Sequence, residues 1–107
     1  MNIVYMIRIV KMHFRDEETE NFLKLFAEVY PKISTFQGCS HLRLLRDKNT
    51  PNIMFTYSIW DNEISLNAYR NSELFAQTWK RTKELFAFKA EAWSVDEVEP
   101  AAPKFFA

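Results

Sequence analysis

The chain is short of the features by which most chemistry announces itself. It holds one cysteine, Cys39, and one glycine, Gly38, in 107 residues. A single thiol excludes an internal disulfide and any cluster of cysteine metal ligands. Net charge is missing as well: 14 basic residues offset 14 acidic ones, which removes the basic footprint of a nucleic-acid binder. No apolar run approaches the length of a membrane span, and the first residues lack the layout of a secretory signal. A cytoplasmic protein that engages neither nucleic acid nor membrane is the expectation. There is no Gly-rich phosphate loop, no serine nucleophile elbow, and no metal-ligand spacing around His13 or His41. Neither a metal nor another cofactor is therefore expected.

Aromatic residues are abundant instead. Ten Phe, four Tyr and three Trp stand in a chain with room for one domain. That many large rings point to a dimer interface or to the wall of a pocket.

Residues 3–14 are rich in β-branched and aromatic side chains and read as a strand. Ile3, Tyr5, Ile7 and Ile9 share one face; Val4, Met6, Val10 and Met12 share the other, interrupted by Arg8. Both faces are apolar, so both must be covered. Asp16 is expected to cap a helix whose first turn gathers Glu17, Glu18 and Glu20. Phe22, Phe26, Val29 and Ile33 give that helix an apolar stripe to about Ser34, with a kink or early end at Pro31. Gly38, at the junction with the next strand, is expected to supply a positive φ.

Residues 40–46 and 52–60 read as strands joined by a polar hairpin loop at 47–51. In the second, Ile53, Phe55, Tyr57 and Ile59 form a face expected to lie under the helices, opposite Met54, Thr56, Ser58 and Trp60. Asp61 is expected to cap a short helix through Tyr69. Ser72 caps a longer one with Phe75, Trp79, Thr82 and Phe86 in a stripe. A last strand at 88–98 completes a domain at 1–98, and the Pro/Ala-rich 99–107 reads as an irregular tail.

This order is that of an α+β, ferredoxin-like βαββαβ fold: a four-stranded antiparallel sheet with helices on one face. The other face would be a bare apolar patch. A second copy is the simplest cover, making a homodimer in the form of a dimeric α+β barrel.

Two stretches carry a resemblance. Phe36-Gln37-Gly38-Cys39, leading into the strand at 40–46, is one. Ile59-Trp60-Asp61, leading to Tyr69, Arg70, Ser72, Phe75 and Trp79, is the other. With the element order they resemble the antibiotic biosynthesis monooxygenase family over about residues 3–98. The resemblance implies a pocket between sheet and helices that admits a small aromatic or polyketide-like molecule. It further implies oxidation by molecular oxygen with neither metal nor flavin, the deprotonated phenol itself reducing the oxygen. Trp60 matches the family's tryptophan at the end of the third strand. The family's oxygenases carry an asparagine one step earlier, where this chain has Thr56, a different donor. Haem-degrading relatives place a histidine ligand where Trp79 stands here, and an indole N–H cannot ligate iron.

The candidate site that follows comprises Trp60 and His41 as catalytic residues, with Thr56, Tyr57, Tyr69 and Trp79 against the substrate. Each has a plainer alternative. Trp60 and Trp79 can be packing residues, Tyr57 can satisfy its hydroxyl on a backbone carbonyl, and His41 can be a strand-end residue. Arg8 either pairs across the dimer interface, the commoner arrangement, or holds an anionic oxygen in the pocket. Cys39 reads as an inert thiol. The competing function is a non-catalytic dimeric barrel that binds a small ligand or partner.

Overall fold

Strand β1, Met6–Phe14, runs through the middle of the sheet with both of its edges paired. It is paired antiparallel with β3, Ile53–Trp60, on one side and with β4, Phe86–Val95, on the other. Strand β2, Cys39–Arg46, lies outside β3, giving the order β2-β3-β1-β4. Helices α1 (Thr19–Ser34), α2 (Glu63–Arg70) and α3 (Glu73–Lys83) supply the crossovers. The fold is therefore the α+β, ferredoxin-like arrangement. The computed structural model describes residues 5–98; Ile3 and Val4 of the expected strand, and the tail at 99–107, lie outside them.

Register decides which face meets the helices. Met12 stands opposite Met54, Val10 opposite Thr56, Arg8 opposite Ser58 and Met6 opposite Trp60. Met12, Phe14 and Met54 pack with Phe22, Leu25, Val29 and Ile33 of α1 to make the core. Even-numbered positions of β1 and β3 thus lie under the helices, and the alternating residues point the other way. Ile53, Phe55, Tyr57 and Ile59 are on the open face, which corrects the placement expected for Tyr57.

Smaller corrections concern the element ends. Asp16 begins a single 3-10 turn, Asp16–Glu18, before α1, and makes no side-chain cap. Leu25 takes the buried place expected of Phe26, which packs beside the core. Pro31 neither stops nor shortens α1, which continues to Ser34. Its missing N–H would face the Ala27 carbonyl; both residues lie on the exposed side of the helix, and Thr35 Oγ1 donates to the Pro31 carbonyl at 2.6 Å. Asn62, not Asp61, caps α2, its side chain accepting from the Ser65 N–H at 2.9 Å. Ser72 caps α3 as expected, accepting from the Phe75 N–H at 3.1 Å. Phe86 has already left the helix and opens β4.

Gly38 has φ +92°, a region open to glycine and strained for other residues. Its carbonyl accepts from the Asp61 N–H at 2.8 Å, tying the start of β2 to the end of β3. On the outer surface, Arg81 joins α3 to Glu28 of α1 at 2.5 Å. Both partners are about half exposed, so salt should screen this pair.

Candidate functional site

The core is dense where Met12, Phe14 and Met54 meet α1, and it opens further along the same sheet face. There the inward residues shrink to Val10, Thr56, Ser58 and Ala92, and a cavity of about 300 Å³ remains between sheet and helices. That volume is at the lower end of ligand sites. The wall facing the gap is aromatic. Trp60 stacks on Tyr69 at 5.1 Å and 24°, Tyr69 meets Phe75 edge-on at 5.3 Å, and Phe75 lies parallel to Trp79 at 6.0 Å and 10°. The break between α2 and α3 at Asn71-Ser72 separates the helix that carries Tyr69 from the one that carries Phe75 and Trp79. Ser72 secures the break by donating from Oγ to the Tyr69 carbonyl at 2.6 Å.

Few polar groups enter this space. Trp60 is 1% exposed, and its Nε1–H donates to Ser58 Oγ at 2.9 Å. The indole N–H is thereby occupied, so Trp60 offers a ligand its ring rather than a donor. Arg8 and Arg70 both border the cavity. Arg8 Nη1 donates to Ser94 Oγ at 2.9 Å. Burial, and secondarily the positive charge of Arg70, depress its affinity for its own proton, although a guanidinium stays charged at neutral pH.

Tyr69 is pushed up to about 12 by burial and then by the nearby Cys39. It is a neutral donor throughout the physiological range, not a base. The linkage has a definite sign. The folded value lies above the free phenol's, so full stability holds below about pH 10 and falls as pH rises toward 12, by about 3 kcal/mol in all. Urea unfolding of the Tyr69→Phe variant should lack this alkaline loss relative to wild type; identical pH slopes in the two proteins would contradict the assignment. Burial likewise pushes the Cys39 thiol up, and its Sγ–H donates to the His41 carbonyl at 3.6 Å. A protonated, half-buried thiol is not a nucleophile.

The residues proposed from sequence divide between two faces. Thr56, Trp60, Tyr69 and Trp79 all border the cavity. Tyr57 and His41 do not: they meet edge-on at 6.0 Å on the opposite face of the sheet, because His41 pairs in register with Ile59 rather than with an inward residue. His41 as the base acting in the cavity is thus corrected. Sequence reasoning undervalued Arg8 and passed over Arg70. The available signal was that Arg8 interrupts the same face of β1 that faces the small polar residues Thr56 and Ser58. No group of three or more metal-ligating side chains occurs among the described residues, and no helix there is long and apolar enough to cross a membrane.

Comparison with known proteins fits this geometry. The chain resembles a conserved protein from Methanosarcina mazei Go1, with a TM-score of 0.84 and 17% identity over 89% of this chain and 94% of that one. A structure described as an antibiotic biosynthesis monooxygenase superposes with a TM-score of 0.82 and 17% identity, covering 88% of this chain and 99% of the other. Rv0793 from Mycobacterium tuberculosis gives 0.83 and 13%, over 92% and 100%. At these identities the likeness is one of fold. Curated protein sequences give no significant match. The family model for antibiotic biosynthesis monooxygenase matches residues 6–81, from β1 through the cavity wall into α3, and the chain belongs to that family.

Proposed function

We propose that the protein is a cofactor-independent monooxygenase that oxidises a small phenolic or polyketide-like aromatic with molecular oxygen in the cavity between sheet and helices. The observation that carries this reading is the aromatic-walled cavity itself, in a chain of this family. Trp60, Tyr69 and Trp79 would hold a planar ring by stacking and edge contacts, and Thr56 would meet a ring oxygen. The reaction balances without an external reductant. The phenol O–H and one ring C–H bond break; one oxygen atom forms a new carbonyl at that carbon, and the other leaves as water with both hydrogens. The substrate supplies all four electrons that reduce the oxygen. The modest volume favours a compact ring system over an extended polycycle.

One observation favours the competing reading of a non-catalytic binding barrel: among the described residues around the cavity there is no carboxylate and no histidine to act as a base. Oxygen uptake separates the two. Chelator-treated protein should consume oxygen with naphthols or anthrones; tight binding of the same compounds with no uptake would select the binding barrel.

A homodimer is part of the proposal. It is supported by the open sheet face, where Phe88, Trp93, Leu45 and Val95 remain 64%, 44%, 39% and 37% exposed. Burying such a patch against a second copy is the economical solution. Sedimentation should give a dimer, and Trp93→Glu, placing a charge in that face, should give a folded monomer. A wild-type monomer at tens of micromolar would refute this part. The proposed cytoplasmic setting is supported by cysteine usage alone.

A further inference from the structure

We infer that the cavity selects an aromatic ligand carrying an oxyanion, and that Arg8 and Arg70 form the subsite that receives it. The inference rests on reading this cavity as the substrate site and adds the charge of its occupant. Arg8 borders, from a middle strand of the sheet, a space walled mainly by apolar and aromatic groups, with Arg70 as the other cation and hydroxyl groups from Thr56, Ser58, Tyr69, Thr78 and Thr82. Placing a guanidinium there costs solvation, and Arg70 adds like-charge repulsion; both effects appear in the depressed proton affinity of Arg8. The usual remedy is a carboxylate partner. Among the described residues, none lies within 4.0 Å of either arginine. Ser94 takes one of the five Arg8 donors and brings no negative charge.

An anion on the ligand supplies what the protein leaves out. It satisfies the guanidinium fork, relieves the repulsion between the two cations, and does so in partly desolvated surroundings where charge-assisted bonds are strongest. The neutral Tyr69 hydroxyl and the ring ladder suit the uncharged body of the same molecule. A carboxylate attached to the ring and a phenolate oxygen share this chemistry. For a phenol, the same field favours loss of the proton and so reduces the need for a side-chain base.

The test uses intrinsic tryptophan fluorescence and calorimetry with 1-naphthoate, 1-naphthol, 1-methoxynaphthalene and inorganic phosphate. Wild type should bind 1-naphthoate at least tenfold more tightly than 1-methoxynaphthalene, with phosphate alone far weaker. If the natural anion is a phenolate, bound 1-naphthol should show the phenolate absorption band at a pH where the free compound is neutral. Arg8→Met and Arg70→Met should each abolish most of the preference for the anion while leaving 1-methoxynaphthalene within about twofold; Arg8→Lys should retain part of it. Should Arg8→Met fail to fold, Arg70→Met at the exposed rim carries the comparison. Equal binding of the charged and neutral naphthalenes, or variants that weaken both alike, would overturn the inference. The failures are distinguishable: anion-selective binding without oxygen uptake defeats the oxygenase and leaves the subsite, whereas oxygen uptake unaffected by either arginine variant does the reverse.

Discussion

Gly38→Ala is expected to remove a large part of the protein's margin of stability. Two costs coincide at this residue. Its φ of +92° is one that an alanine adopts only under strain, at about 1–3 kcal/mol. A Cβ built there would stand 2.4 Å from Ser65 Cβ and 2.5 Å from Ser65 Oγ, well inside contact distance. Ser65 Oγ can rotate away, but Cβ is fixed to the helix backbone, so α2 itself would have to move, taking Tyr69 and Arg70 with it. Together the two terms amount to about 3–5 kcal/mol, against a total of about 5–15 for a typical domain. The second variant separates them. Ser65→Gly removes the opposing side chain, so the double variant should recover the steric share and keep the backbone share. Urea denaturation of all four proteins measures both, and a Gly38→Ala variant within 1 kcal/mol of wild type, read against the strain scale, would contradict the close packing of α2 on the β2 start.

The second large effect is at Trp60. With 1% of its surface exposed and its ring stacked on Tyr69, Trp60 is at once core and cavity wall. Trp60→Ala should therefore cost about 3–5 kcal/mol of stability, and with it the ring ladder proposed to bind the aromatic ligand. Stability and turnover should fall together, so turnover of this variant alone says little about chemistry. Trp60→Phe is the informative replacement. It keeps a ring beside Tyr69 but removes the donor to Ser58 Oγ, at about 1 kcal/mol. Oxygen uptake at saturating substrate should survive in Trp60→Phe with a weaker apparent affinity. Full loss of turnover in a well-folded Trp60→Phe would give the indole a chemical role beyond its ring surface.

Much of the fold could be read from the residues. The order of elements announced the ferredoxin-like sheet, Ser72 announced the start of α3, and the lone glycine announced its own backbone angle. The side of the sheet that receives the helices could not be read the same way. Period-two alternation pairs Thr56 with Ser58 and Tyr57 with Ile59, and the more apolar Tyr57 face was the one expected under the helices. That expectation put Tyr57 on the wrong side. The small polar residues were the better guide, since a cavity forms where inward side chains are short. Arg8, on the same face of β1 as the small residues of its neighbours, marked the place. Arg70 left no comparable mark, because a cation in the last turn of a helix is ordinary; only the fold brings it to the cavity that Arg8 enters.

Isotope labelling tests the central claim most directly. Chelator-treated protein, given a naphthol or anthrone that it binds and ¹⁸O-labelled molecular oxygen, should yield a product in which the newly formed carbonyl carries the label. Oxygen and substrate should be consumed in equal amounts, with no peroxide released. A bound aromatic that returns unchanged, or a product whose new oxygen comes from water, would contradict the account.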